Sequence, residues 1–124
     1  MEEKVILFLK DDAPIINSTR EKLEEMGHVV ILCQTASQAR KYLDDLERVD
    51  IILLSSCILK KQDCLTFIAE IKESGSKWVK IPVFVITDVD KESGKLKKMG
   101  VDRFFVKDQH LDKIVDDIDH FLKK

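Results

Sequence analysis

The residues able to do chemistry in this chain sit just past the ends of apolar runs. Asp11 and Asp12 follow Val5–Leu9, Ser55 follows Ile51–Leu54, Thr87 follows Val83–Ile86, and Lys107 follows Phe104–Val106. Two adjacent carboxylates on one loop form a hard oxygen site of the kind Mg²⁺ takes, with water or phosphate completing its shell. A lysine ammonium and a threonine hydroxyl opposite them would hold a phosphoryl group by charge and hydrogen bond. Each feature is weak alone. The ordered set, with a member at the end of each run, is specific. A second arrangement needs no ligand: Asp11 and Asp12 pair with Lys107, and with Lys10, in a hydrogen-bonded ion cluster.

These ends share one edge only if the runs are parallel strands. Five apolar runs, the fifth being Val29–Leu32, alternate with five helical patterns, which argues for parallel strands joined by crossover helices. Ile51–Leu54 and Val83–Ile86 are wholly apolar, as central strands covered on both faces should be. In such an open sheet, function gathers at the carboxyl ends of the strands, near the point where strand order reverses.

The first helix is expected from about Pro14 to Met26, with Gly27 as its stop and Ile15, Thr19, Leu23 and Met26 facing inward beside Ile16. The second follows Thr35, whose hydroxyl forms a capping box with Gln38, and buries Ala39, Tyr42, Leu43 and Leu46. The third uses Leu65, Ile68 and Ile71 and ends before Gly75. The pattern around Lys91 to Met99 offers the core only Leu96 and Met99, and its Gly94 costs about 1 kcal/mol of helix propensity, so it is the least firmly held. The last helix is the best formed, with Leu111, Ile114, Val115, Ile118, Phe121 and Leu122 at helical spacing.

A chain of 124 residues reads as one domain spanning 1–124, able to bury roughly two thirds of its unfolded surface. A net charge of −2 argues against a nucleic-acid footprint, which needs a basic excess on one face. No apolar run approaches the ~20 residues that span a bilayer, and no secretion signal precedes Val5, so a cytoplasmic protein without membrane contact is expected. The three cysteines, Cys33, Cys57 and Cys64, fit a reducing compartment, with Cys33 in or beside the core and the other two as unpaired thiols, the alternative being a Cys57–Cys64 pair across one loop. Neither they nor His28, His110 and His120 have zinc-ligand spacing.

Catalysis finds little support. The four glycines are unclustered, so no loop cradles a nucleotide. Ser55 lies in LLSSC without the flanking glycines of a nucleophile elbow. LKDDAPI is acidic where a flavodoxin would place a hydroxyl-rich phosphate loop. The chain is therefore not expected to be an enzyme.

Over essentially all its length the chain resembles the receiver domains of two-component response regulators. VILFLKDDAPI is similar to the family's first strand, acidic pair and helix start. DIILLS is similar to the strand that ends in the phosphorylated aspartate, IPVFVIT to the fourth strand with its hydroxyl, and GVDRFFVK to the turn, fifth strand and lysine. The resemblance implies an α/β, flavodoxin-like receiver fold: a five-stranded parallel sheet of order 2-1-3-4-5 with helices on both faces. It also implies an aspartyl phosphate made with Mg²⁺. A surface around the Lys91–Met99 helix, the fifth strand and the last helix would respond, with Thr87 and Phe104 at the switch positions.

The departures shape the functional expectation. Ser55 stands at the phosphoacceptor position, where the family's carboxylate attacks phosphorus and helps bind the metal. A hydroxyl is a far weaker nucleophile without an activating base. No histidine is near it in sequence, and Asp12 is poorly matched to a hydroxyl proton. Lys10 adds charge where the family prefers an apolar residue. The loop Ser56–Asp63 lacks the proline usual at Leu59 and the glycine usual near Asp63. Asp108 replaces a proline that is often cis; a cis bond before a non-proline residue costs ~3–4 kcal/mol, so a trans peptide, a re-aimed Lys107 and a helix-capping Asp108 are expected. With one of three carboxylates gone, the ion cluster is favoured over Mg²⁺. No cofactor is expected, Asp11 and Asp12 being at most a weak Mg²⁺ site.

The expectation is a degenerate receiver, or pseudo-receiver, acting as a phosphorylation-independent protein-interaction module in bacterial signalling. The alternative is a still-switchable receiver that takes Mg²⁺, phosphate or a small ligand at the remnant pocket of Asp11, Asp12, Thr87 and Lys107. The partner would be a signalling protein or a fused output domain, with no direct contact to nucleic acid. Phe104, the basic residues Lys91, Lys95, Lys97 and Lys98, and the acidic residues Asp112, Asp116, Asp117 and Asp119 mark the interaction face. That pairing of charge suits a two-fold homodimer, or else forms two solvated helix faces. Trp78 is a second contact or a cover for the core edge.

Overall fold

The computed structural model describes residues 4–9, 14–55, 62–73, 75–87, 98, 100–106 and 111–122. Among them the chain runs β1 (Val5–Leu9), α1 (Pro14–Glu25), β2 (Val29–Cys33), α2 (Ala36–Asp45), β3 (Ile51–Ser55), α3 (Gln62–Lys72), β4 (Val83–Thr87), β5 (Arg103–Val106) and α4 (Leu111–Leu122). The described strands form one parallel sheet of order β2-β1-β3-β4-β5. Order reverses between β1 and β3, which sets the crevice at their carboxyl ends. The pattern around Lys91 to Met99 lies outside the described residues except for Lys98, which is exposed.

Strand alternation divides the core into two layers. Leu7, Leu9, Ile52, Leu54, Val83 and Val85 face α2 and α3, where Ala39, Leu43, Phe67, Ile68 and Ile71 close over them. Ile6, Phe8, Ile51, Leu53, Phe84 and Ile86 face α1 and α4, meeting Leu23, Ile114, Val115, Ile118 and Leu122. Cys33 is buried in the first layer.

Helix ends follow local chemistry. At the end of α1, Gly27 takes φ +93, His28 N–H donates to the Leu23 carbonyl and Gly27 N–H to that of Glu24. This is a Schellman motif, completed by the burial of both Leu23 and His28. It turns Met26 outward, to 38% exposure, so Met26 is not part of the inward stripe expected of it. At α2, Thr35 Oγ1 accepts from Gln38 N–H at 3.1 Å, and Gln38 Oε1 accepts from Gln34 N–H at 2.8 Å. The capping box therefore closes one residue early, on Gln34 rather than Thr35. Ala36 and Ala39 bring α2 close to the sheet and leave Tyr42 outside the contact, exposed rather than buried as expected.

Two aspartates pin the amino edge of the sheet. Asp50, just before β3, accepts Val5 N–H at 2.8 Å and Arg48 Nε at 3.0 Å. Asp102, just before β5, accepts Val83 N–H at 2.8 Å and Lys72 Nζ at 2.9 Å. Lys72 also donates to the Ile81 carbonyl at 2.8 Å, tying the end of α3 to the segment before β4. A third polar tie joins α4 to the α1–β2 corner: His28 Nε2 and Asp119 Oδ1 are 2.8 Å apart with both side chains mostly buried. Asp119 is thus engaged inward and does not belong to the solvent-facing acidic edge.

Candidate functional site at the carboxyl edge of the sheet

The strand register fixes where the ends of β3 and β4 fall. Leu9 pairs with Leu54, one residue before Ser55. Ser55 pairs with Ile86, one residue before Thr87. Thr87 pairs with Val106, one residue before position 107. Neighbouring strands lie about 4.8 Å apart, so Ser55 and Thr87 end adjacent strands on the same edge. Beneath them Leu9, Leu54, Val85 and Ile86 are fully buried, a low-dielectric floor against which any charge at this edge acts strongly.

Asp11, Asp12 and Lys107 lie outside the described residues, as do Lys10, Cys57, Asp108 and Lys95. The backbone of β3 brings Ser55 to the place the sequence assigned it, and β4 does so for Thr87. Phe104 is in β5, paired with Val85. A serine offers one O–H donor and two lone pairs and no charge. The end of β3 therefore supplies a neutral hydroxyl where a divalent cation would want a carboxylate. No group of three or more His, Cys, Asp or Glu suited to a metal ion occurs among the described residues.

On the expected interaction face, Lys98 and Asp116 are exposed and Asp117 is half-buried, while Asp112 falls in the first turn of α4. The division into a basic and an acidic edge is incomplete. Lys113 is exposed within the acidic helix. Arg103, on β5, places its guanidinium 5.9 Å from the Phe121 ring, which packs edge-on against Phe84 at 4.9 Å. Arg103 was not singled out from the sequence. Its one visible signal is a charged residue opening an edge strand beside the aromatic pair Phe104-Phe105.

Residues 6–119 match the response regulator receiver domain family. The chain belongs to that family. Receiver domains are signalling modules that act through other proteins, such as kinases and output domains. This receiver is similar to the phosphorylated cyanobacterial phytochrome response regulator RcpA, at 26% identity and TM-score 0.78 over 99% of this chain and 96% of that one. It is similar in fold to HP1043, an orphan response regulator of H. pylori, at 20% identity and TM-score 0.74 over 96% of each chain. A third similar structure is the receiver domain of the sensor histidine kinase PA1611 from Pseudomonas aeruginosa PAO1, with magnesium coordinated in its active-site cleft. It shows 18% identity and TM-score 0.76 over 99% of this receiver and all of that chain. No curated protein matches the sequence. No helix among the described residues is long and apolar enough to cross a membrane.

Proposed function

We propose that this receiver is a pseudo-receiver: a phosphorylation-independent, cytoplasmic protein–protein interaction module in bacterial two-component-type signalling. The observation that carries the reading is Ser55 at the carboxyl end of β3, beside the strand that ends in Thr87. RcpA was solved phosphorylated and the P. aeruginosa receiver with magnesium. Here the acceptor position holds a hydroxyl, and no base is assigned to activate it. Without a phosphoryl group nothing interacts differently with two conformations, so nothing shifts their balance.

In this reading Asp11, Asp12, Thr87 and Lys107 form an internal polar cluster, with Asp11 and Asp12 at most a weak Mg²⁺ site and no resident cofactor. Phe104, Lys95, Lys98, Asp112 and Asp116 belong to a constitutive binding face. The partner is a signalling protein, a fused output domain or a second copy of the chain.

Amide-resolved NMR during addition of Mg²⁺ and then beryllofluoride, a mimic of the acyl-phosphate group, tests this. A silent pocket is the expected result. Saturable shifts at Asp12, Thr87 and Lys107 that spread to Phe104 would establish the alternative, a switch that survives without its aspartate. Ser55→Asp treated with a small phosphodonor then separates causes. Rapid labelling means only the acceptor was lost; its absence implicates Lys10 or Asp108 as well.

A further inference from the structure

At the amino edge of the sheet, opposite the remnant pocket, a cavity of about 470 Å³ opens between α2 and the segment before β4. That lies within the roughly 300–1,000 Å³ of ordinary ligand sites. Its floor is apolar, made by Leu43, Val49, Ile81 and the half-buried Trp78, which packs on the α2–α3 core layer. Asp44 and Glu47 stand at its rim.

Both walls are fixed. Trp78 N–H donates to Ser76 Oγ at 3.1 Å, and the Trp78 carbonyl accepts Ile81 N–H at 3.0 Å. Lys72 holds the Ile81 carbonyl from below. On the other wall Arg48 is bound to Asp50, which is bound to β1. A site whose walls are already ordered loses little freedom when something enters.

A cation of the chain itself already occupies the mouth of this cavity. Lys77 Nζ lies 4.8 Å from the centre of the Trp78 ring and 3.2 Å from Asp44 Oδ1. An ammonium over an indole face and beside a carboxylate is the arrangement that recognises a basic side chain. Lys77 and Asp44 are both largely exposed, at 68% and 58% of their side chains, so this internal pair is weak and readily exchanged. Asp44 and Glu47 are the carboxylates of the cavity's lining, the groups an incoming cation meets once Lys77 swings away.

We propose that Trp78, Asp44 and Glu47 form a docking cradle for a lysine or arginine side chain of a partner protein, with Lys77 as the internal occupant it displaces. This surface is separate from the carboxyl edge, and the proposal stands whether or not that edge can be phosphorylated.

Trp78 is the single tryptophan of the chain, so its emission reports on the cradle alone. The test titrates the whole chain with acetyl-Gly-Lys-Gly-amide and its arginine counterpart, against the glutamine peptide as a neutral control. Fluorescence and amide NMR shifts are read together. Saturable changes centred on Trp78 are expected with both basic peptides and not with glutamine. Lys77→Ala should tighten binding about threefold by removing the competitor. Asp44→Asn combined with Glu47→Gln should weaken it about tenfold, the loss of a charged hydrogen-bond partner. An equal response to the glutamine peptide, no saturation, or binding untouched by the double substitution would each overturn the cradle. A beryllofluoride response at Thr87 bears on the pseudo-receiver reading and leaves this result unaffected.

Discussion

The two edges of the sheet use acidic residues in opposite ways. At the amino edge, Asp50 and Asp102 each precede a strand and accept the first amide of the neighbouring strand, Val5 and Val83 respectively. Each also returns its own N–H to the carbonyl of that same residue, and each holds a cation, Arg48 or Lys72. At the carboxyl edge, β3, the strand that Asp50 precedes, ends in Ser55. An acid at the amino edge satisfies strand amides that would otherwise lack a partner, so it is part of the fold. An acid at the end of β3 would not be needed for such strand-edge pairing in the described sheet, and over a buried apolar floor it would call for a cation beside it. In the pseudo-receiver reading, serine at this position removes chemistry without removing structure.

The sharpest way to break this contrast is at Asp102. Asp102→Ala leaves Val83 N–H without its acceptor and Lys72, only 12% exposed at its side chain, without its counter-charge. A loss of about 2–3 kcal/mol is expected, from an unsatisfied buried donor together with an unpaired, largely buried cation. The urea midpoint should fall with an unchanged slope. Asp50→Ala should cost about 1 kcal/mol, because its partner Arg48 is half exposed and regains water. Equal losses at the two positions would show that the cations contribute nothing to the clamps.

A pair of glycines refines the same point. Gly27 and Gly100 both take φ near +90°, but a Cβ at Gly27 meets open space while one at Gly100 comes within 3.1 Å of Lys72 Cγ. Gly27→Ala should cost about 1 kcal/mol for the backbone alone. Gly100→Ala should cost about 2 kcal/mol, since it also displaces the lysine that binds Asp102. If the two substitutions prove equivalent by thermal unfolding, Lys72 shifts freely and the clamp is looser than its distances suggest.

What the sequence disclosed and what it hid also divide along these edges. The order of the strands comes from the family resemblance, while the parallel strands, and the placement of Ser55 and Thr87 at strand ends, follow from apolar runs of three to five residues. Those signals are local. The clamps are not: Asp102 and Lys72 are 30 residues apart, and His28 and Asp119 are 91 apart. Nothing in a helix-face pattern separates Asp119, turned into the core, from Asp116, turned to water. Tyr42 misled for a related reason. Helical spacing fixes which residues share a face, but two alanines one turn apart decide how close that face comes to the sheet, and a bulky neighbour is then left outside. The Arg103–Phe121 contact likewise depends on how α4 lies beside β5.

Ser55→Asp is the smallest perturbation and the one whose sign matters most. It places a carboxylate at the end of β3, over the buried floor of Leu54 and Ile86, where the proposed polar cluster would set it beside Asp11 and Asp12. Like charges gathered over a low-dielectric floor repel, so the variant should be less stable than the native chain by about 1 kcal/mol in the absence of divalent cations. Mg²⁺ should reverse the loss, because a ligand bound only by the folded state adds stability that rises with its concentration above the dissociation constant, by about 2.7 kcal/mol at a hundredfold excess. The native chain should show almost no such dependence in the same melting experiment. If the native chain gains as much from Mg²⁺ as the variant does, then serine has left the metal site intact. The carboxyl edge would then be a working site missing only its acceptor, and the contrast between an edge kept for structure and an edge emptied of chemistry would fail.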